Sequence, residues 1–117
     1  SDSMCYNACR LAKRVDASAI VTMTFSGYTA IQVSSQRPKA HIFMFTANKK
    51  ILGQMSLVWG VTAFSYLKMV STDHTIADIK YELTKSGLVE KGDFVIHLAS
   101  MPIADAGMTN MVKLGQV

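Results

Sequence analysis

The stretch Thr22-Met-Thr-Phe-Ser-Gly-Tyr-Thr-Ala30 sets the organisation of the chain. It continues the apolar, largely β-branched residues Ala19-Ile-Val-Thr22, which are typical of a buried parallel strand, and it runs into residues that can form a helix. We therefore predict a strand, a turn and a helix in direct succession. Three hydroxyl side chains and one glycine fall in the turn: Thr24, Ser26, Gly27 and Thr29.

Such a turn lies at the amino end of the helix, where unpaired backbone N–H groups and the positive end of the helix dipole point outward. A phosphate group can bind there through the backbone N–H groups and the helix dipole alone. The alternative interpretation is an ordinary helix cap, with Ser26 or Thr29 as the capping residue. Spacing alone leaves both interpretations open.

Composition restricts the class of protein. The chain has 117 residues, of which 50% are hydrophobic and 17% charged, which is enough for one domain with a substantial core. No apolar run is long enough to cross a membrane, and no signal segment is recognisable. Because the first residue is Ser, we expect a fragment of a longer protein. The net charge of +4 is not clustered into a basic stripe, so we expect no nucleic-acid partner.

The cysteines and histidines do not form a metal-binding pattern. Cys5 and Cys9 are one helical turn apart, so they would share a helix face as two unpaired thiols in a reducing cytosol. The three histidines, His41, His74 and His97, are scattered without ligand spacing. We expect His97 to be a hydrogen-bonded residue within a strand.

Periodicity predicts alternating helices and strands. Helices are expected over 2–15, 28–35 and 49–58, the last with Thr46 or Asn48 as its cap. Another helix is expected to end at Gly87, with Thr75 and Asp78 at capping-box spacing and Asp73 as a competing cap. Strands are expected over 19–23, 40–46, 61–67, 94–99 and 109–117, the third of them as an edge strand.

This order predicts a three-layer α/β sandwich with helices on both faces of a mixed five-stranded sheet. The connection between the last two strands is too short for a parallel crossover, so the last strand should be antiparallel. The expected strand order is 3-2-1-4-5. Ligands of open α/β sheets bind where the strand order reverses, which places the 24–29 turn and the 101–107 loop side by side at such a site.

No catalytic set is recognisable. Asp105 is the lone carboxylate in the loop after the fourth strand, and Ser26 has no evident base partner. A nucleophile elbow, a Walker loop and a dinucleotide-binding glycine pattern are all missing from the sequence. We therefore assign no chemistry to this chain by itself.

Four further stretches stand out: Ala19-Ile-Val-Thr-Met-Thr-Phe-Ser-Gly-Tyr-Thr-Ala30, Arg37-Pro38-Lys-Ala40, Lys91-Gly92-Asp93-Phe-Val-Ile96 and Gly107-Met-Thr-Asn-Met-Val-Lys113. In this order and at this spacing, they resemble the C-terminal α/β domain of pyruvate kinase over essentially the whole chain. The Thr-x-Ser-Gly-x-Thr turn and the Gly-x-Thr-Asn strand entry are together fairly specific.

The resemblance implies a cytoplasmic parent enzyme that transfers a phosphoryl group from phosphoenolpyruvate to ADP on a separate barrel domain, with magnesium and potassium. Without that barrel, this chain should be inactive and hold no cofactor. The domain would be regulatory and would help to build a tetramer. A sugar phosphate or another phosphorylated effector would bind residues of the turn and of the 101–107 loop. These residues are Thr24, Phe25, Ser26, Gly27, Thr29 and Gly107.

The sequence departs from the bisphosphate-regulated members of the family. Phe25 stands where they carry Lys, and the 71–75 stretch lacks their Trp and Arg. Asp105 adds a negative charge that opposes a second phosphate. The resemblance therefore predicts a monophosphate effector or a vestigial site. Two other hypotheses remain open at this level: a free-standing small α/β protein or enzyme that acts on a phosphorylated ligand, and a purely structural interface domain.

Overall fold

A computed structural model describes residues 2–24, 27–66, 72–99 and 111–117. The observed elements alternate as the sequence predicts. They are α1 (Asp2–Val15), β1 (Ala19–Met23), α2 (Tyr28–Ser35), β2 (His41–Thr46), a 3₁₀ turn (Lys49–Ile51), α3 (Leu52–Met55), β3 (Val61–Ser65), α4 (Thr72–Lys85), β4 (Phe94–Ala99) and β5 (Met111–Gln116).

The five strands form one sheet in the order β3-β2-β1-β4-β5. The first four strands run parallel, and β5 runs antiparallel to β4 with Ala99 opposite Met111. The predicted order, the antiparallel last strand and the edge position of β3 are therefore confirmed. Since β1 lies between β2 and β4, the strand order reverses beside the carboxyl end of β1.

Alternate side chains of each central strand enter two separate apolar cores, as the period of two in a strand requires. On one face, Ile20 and Ile96 pack under α1, α2 and α3. On the other face, Val21 and Val95 pack under α4. All five residues of β1 are buried, which is the burial expected for a central parallel strand covered on both sides.

The third helix is shorter than the sequence predicts. The Asn48 side chain accepts a hydrogen bond from the Lys50 amide at 3.1 Å and caps a 3₁₀ turn instead of a long helix. The α-helix then ends at Met55, and the next amides bond three residues back, as in Val58 to Met55. Gly53 in the middle of this segment lowers its helical propensity, which explains the short helix.

The fourth helix begins earlier than expected. Its first residue is Thr72, so Thr75 lies inside the helix, is fully buried and does not act as the cap. The predicted capping box is therefore wrong. At the other end, Gly87 has φ 74°, and the Leu88 amide bonds the Leu83 carbonyl at 2.9 Å. That left-handed ending confirms the prediction made from Gly87.

Among the residues that the structure describes, no helix is both long and apolar enough to cross a membrane.

Candidate functional site

The turn after β1 is built on hydrogen bonds made by Thr24. Its amide donates to the Phe45 carbonyl at 3.2 Å, which extends the pairing of β1 and β2 by one residue. Its hydroxyl oxygen accepts from the Gly27 amide, also at 3.2 Å. An oxygen that accepts one hydrogen bond still carries its own proton, so Thr24 remains able to donate to an anion.

Gly27 is the residue that caps α2. It has φ 84°, and the helix has no side-chain hydrogen bond at its cap. The alternative interpretation named Ser26 or Thr29 as the cap, and Thr29 is excluded because it is the second residue of the helix and is only 5% exposed. Three other predicted site residues, Phe25, Ser26 and Gly107, lie outside the described residues.

The turn is held against neighbouring elements on its apolar side. Met55 and Ile51 lie directly over Gly27, at 3.0 and 3.5 Å from the position that a Cβ would occupy there. On the α1 side, the Cys5 thiol lies 3.9 Å from the Thr29 carbonyl oxygen. The start of α2 is therefore fixed by packing, and Thr24, Gly27 and Thr29 are brought together at the carboxyl edge of the sheet.

His97 lies in a strand as predicted, but within the part of the chain that the structure describes the predicted hydrogen bond is not found. It lies in β4 and is fully buried, but among the described residues neither ring nitrogen has a hydrogen-bond partner. Burial, and then the nearby charges of Lys80 and Lys113, lower its pKa to about 4. The ring is therefore neutral at pH 7.

A cavity of about 380 Å³ lies between α4 and the β2–β3 side of the sheet. Its walls include the rings of Phe45 and Phe64, which stack with centroids 5.0 Å apart. The Tyr66 hydroxyl donates to the Asp78 carboxylate at 3.0 Å. Burial first, and then Asp78, raise the pKa of Tyr66. This contact ties the end of β3 to α4.

A second cavity, of about 560 Å³, opens at the amino edge of the sheet between the end of α1 and the connection from α2 to β2. We call it the amino-edge pocket. The sequence pattern alone does not reveal this pocket, because Lys13 and the Arg37-Pro38-Lys39-Ala40 segment are far apart along the chain. The signal that unites them is topological: β1 and β2 are parallel neighbours, so the connections that precede them meet at one edge.

Within the described ranges, no three His, Cys, Asp or Glu side chains are grouped so that they could hold a metal ion. The magnesium and potassium that the resemblance implies would belong to a barrel domain.

The fold and the turn define an open α/β domain with a candidate anion site where the strand order reverses. The family model described as "Pyruvate kinase, alpha/beta domain" matches residues 2–114. The chain therefore belongs to the family of pyruvate kinase α/β domains.

Individual relatives agree with this family. The chain is 37% identical over 114 residues to the pyruvate kinase of Clostridium acetobutylicum, which covers 97% of this chain and 24% of that protein. It is 34% identical to the pyruvate kinase of Geobacillus stearothermophilus, with 97% and 19% covered. A solved pyruvate kinase from Cryptosporidium parvum superposes with a TM-score of 0.87 at 23% identity, over 98% of this chain and 22% of that one. The chain thus spans about a quarter or less of the length of these relatives.

Proposed function

We propose that this chain is the regulatory and oligomerisation domain of a pyruvate kinase, and that the 24–29 turn holds the phosphate group of a phosphorylated effector. The parent enzyme would transfer a phosphoryl group from phosphoenolpyruvate to ADP in the cytoplasm, with magnesium and potassium, on a separate barrel. The observation that supports this proposal most directly is the position of the turn, at the amino end of α2 and beside the reversal of strand order.

The local chemistry of the turn favours an anion. Helix α2 has eight residues, and none of those in its first turn is acidic, so the positive end of its dipole is not neutralised from within the helix. Thr24 adds a hydroxyl proton beside Gly27.

The effector would carry a single phosphate. Phe25 supplies no charge where, by the resemblance, the bisphosphate-regulated members have Lys, and Asp105 would oppose a second phosphate. The rest of the ligand would meet the 101–107 loop, including Gly107. Without its barrel, the chain would not transfer phosphate.

Oligomerisation is the second part of the proposal. Strand β5 is an edge of the sheet, and an edge strand presents unpaired backbone groups to another chain. The parent would be a tetramer. Light scattering of the chain at several concentrations tests whether this domain associates by itself.

The effector test is a thermal-melting series with inorganic phosphate and with glucose 6-phosphate, both at constant ionic strength. A ligand at ten times its Kd stabilises by about 1.4 kcal/mol, which is roughly 5 °C for a domain of this size. Ser26→Asp should reduce the shift, because it places a carboxylate where the phosphate would bind at the turn. Thr84→Asp is the matched control: it puts the same charge on an exposed residue of α4, which covers the opposite face of the sheet from α2, and should leave the shift intact.

The other outcomes separate the alternatives. If the wild-type chain shows no shift at millimolar ligand, the effector site is vestigial and only the structural role remains. If the isolated chain hydrolyses a generic phosphoester, it is a free-standing enzyme. If fructose 1,6-bisphosphate binds far more tightly than phosphate does, the single-phosphate proposal is wrong.

A further inference from the structure

The amino-edge pocket has a strongly cationic lining. Arg10 and Lys13 come from α1, and Arg37 and Lys39 come from the connection between α2 and β2. Asp16 is the one carboxylate among the lining residues. Like charges gathered around a concave surface raise the local concentration of anions more than the same charges spread over a flat one.

Arg37 is held in place at the rim of this pocket. Its guanidinium lies over the ring of Trp59, 4.7 Å from the ring centroid. Its amide donates to the Ser34 carbonyl at 3.0 Å, and the Ser34 hydroxyl donates to the Trp59 carbonyl at 2.6 Å. A side chain fixed by such contacts loses less conformational entropy when it binds a ligand.

The backbone at the pocket is also unusual. Asp16 and Arg37 have φ angles of 53° and 49°, and they are the non-glycine residues with positive φ in the part of the chain described. Both line the pocket. Arg37 precedes Pro38, a position that favours extended backbone. Such conformations are unfavourable for non-glycine residues and persist where the surrounding structure enforces them, often at ligand sites.

The pocket is separate from the 24–29 turn. The turn follows the carboxyl end of β1, whereas the pocket lies before its amino end, and the strand between them is roughly 13 Å long at about 3.3 Å per residue. A ligand at one site does not occupy the other.

We propose that the amino-edge pocket is a second anion site, which binds a small phosphorylated molecule with two or more negative charges. The arginine fork matches phosphate oxygens, and lysines add point charges. A volume of about 560 Å³ suits a small molecule rather than a polymer. The Tyr6 ring and Pro38 supply apolar wall for the remainder of the ligand. The proposal goes beyond the effector function of the turn and does not depend on it.

Trp59 provides a local test, because it is the only tryptophan of the chain and contacts Arg37 directly. We expect pyrophosphate, added at constant ionic strength, to change the fluorescence of Trp59 in a saturable manner. The double variant Lys13→Gln/Lys39→Gln should weaken binding at least tenfold; both residues are exposed, so the fold should persist. The matched control Lys49→Gln/Lys50→Gln removes the same charge at the opposite edge of the sheet and should bind like the wild type.

Amide chemical shifts measured in the same titration provide a second measurement. Binding should move the amide signals of Asp16, Ala17 and Arg37. The proposal is overturned if neither fluorescence nor these shifts saturate, or if both double variants bind equally. It is also overturned if Ser26→Asp abolishes the fluorescence change, since that would assign the anion to the turn. If phosphate gives no melting shift that depends on Ser26, but pyrophosphate still changes the fluorescence of Trp59 and the amide shifts, the proposed effector function is wrong and the second anion site stands.

Discussion

The sulfur and terminal methyl of Met55 both lie 3.0 Å from the position that a Cβ on Gly27 would occupy. Gly27 also has φ 84°, a conformation that L side chains rarely adopt. Two independent requirements therefore select glycine at the point where the candidate phosphate turn becomes α2. Since Met55 is itself buried, α3 fixes the position of Gly27 at the start of α2.

Gly27→Ala should destabilise the chain by about 1–2 kcal/mol from the left-handed backbone alone, with a further cost from the repacking of Met55. Urea denaturation measures the difference. Gly87→Ala is the matched control, because Gly87 has φ 74° but nothing lies within 4 Å of its Cβ position. If the two variants lose equal stability, the contact with Met55 contributes nothing.

Gly53→Ala should have the opposite effect and increase the stability of the chain. Gly53 lies in α3 and has nothing within 4 Å of its Cβ position. Alanine there should stabilise the chain by about 0.5–1 kcal/mol, because glycine loses more backbone entropy in a helix. A higher melting temperature would support the view that Gly53 keeps this helix short. A loss of stability would mean that the residue has a packing role that its surroundings do not show.

Thr24→Val should cost about 1 kcal/mol, because it leaves the Gly27 amide without its acceptor at 3.2 Å. Thr24→Ser keeps the hydroxyl and should recover most of the loss. Chemical denaturation measures stability, and the phosphate-induced melting shift measures binding. Valine should reduce both quantities and serine should restore both. If valine lowers stability but leaves the phosphate shift unchanged, then Thr24 shapes the turn without touching the ligand.

His97 should make stability depend on pH. Because burial lowers its folded pKa to about 4 from the ordinary value of 6.5, the unfolded chain binds more protons between these values. Stability should therefore be fully present above about pH 6.5 and fall by about 3 kcal/mol as the pH drops through 4. His97→Leu should flatten this dependence, because leucine does not titrate.

The surroundings of His97 offer a control for this prediction. The Lys80 side chain lies over Gly115, beside the His97 imidazole. Lys113 lies opposite His97 on the neighbouring strand β5. Lys80→Met should raise the His97 pKa and so reduce the loss of stability in acid, but only by a minor part, since burial is the larger cause of the lowered pKa. Denaturation curves at several pH values decide the matter. An unchanged acid transition in His97→Leu would assign it to carboxylates elsewhere.

Most of the fold could be predicted because the sheet is covered on both sides. A strand such as β1, buried throughout, is continuously apolar, and Pro38 and Gly87 mark the ends of helices. The wrong predictions concern helix ends, where competing local preferences are not resolved by the sequence alone. At α3, the low helical propensity of Gly53 outweighs the apolar stripe that predicted a longer helix. At α4, the helix already begins at Thr72, so Thr75, which was predicted to be the cap, is buried inside the helix.

The candidate site could be predicted only where it is local in sequence. Thr24, Gly27 and Thr29 follow one another along the chain, and a turn motif locates them together. The amino-edge pocket joins Arg10 and Arg37, which are far apart in sequence and meet only because β1 and β2 are parallel neighbours. The contact of Met55 with Gly27 could not be predicted either, because sequence periodicity does not specify packing distances.

Tyr66→Phe should cost about 1–2 kcal/mol, because the hydroxyl donates to the Asp78 carboxylate at 3.0 Å and hydrogen bonds to charged groups are stronger than neutral ones. Tyr81→Phe is the matched control: Tyr81 is 62% exposed, and its loss should stay within about 0.5 kcal/mol. A double-mutant cycle with Asp78→Ala isolates the pair, and we expect a coupling of about 1 kcal/mol. A coupling near zero would mean that β3 is held to α4 by its apolar contacts alone. In that case the raised pKa of Tyr66 would follow from burial without Asp78.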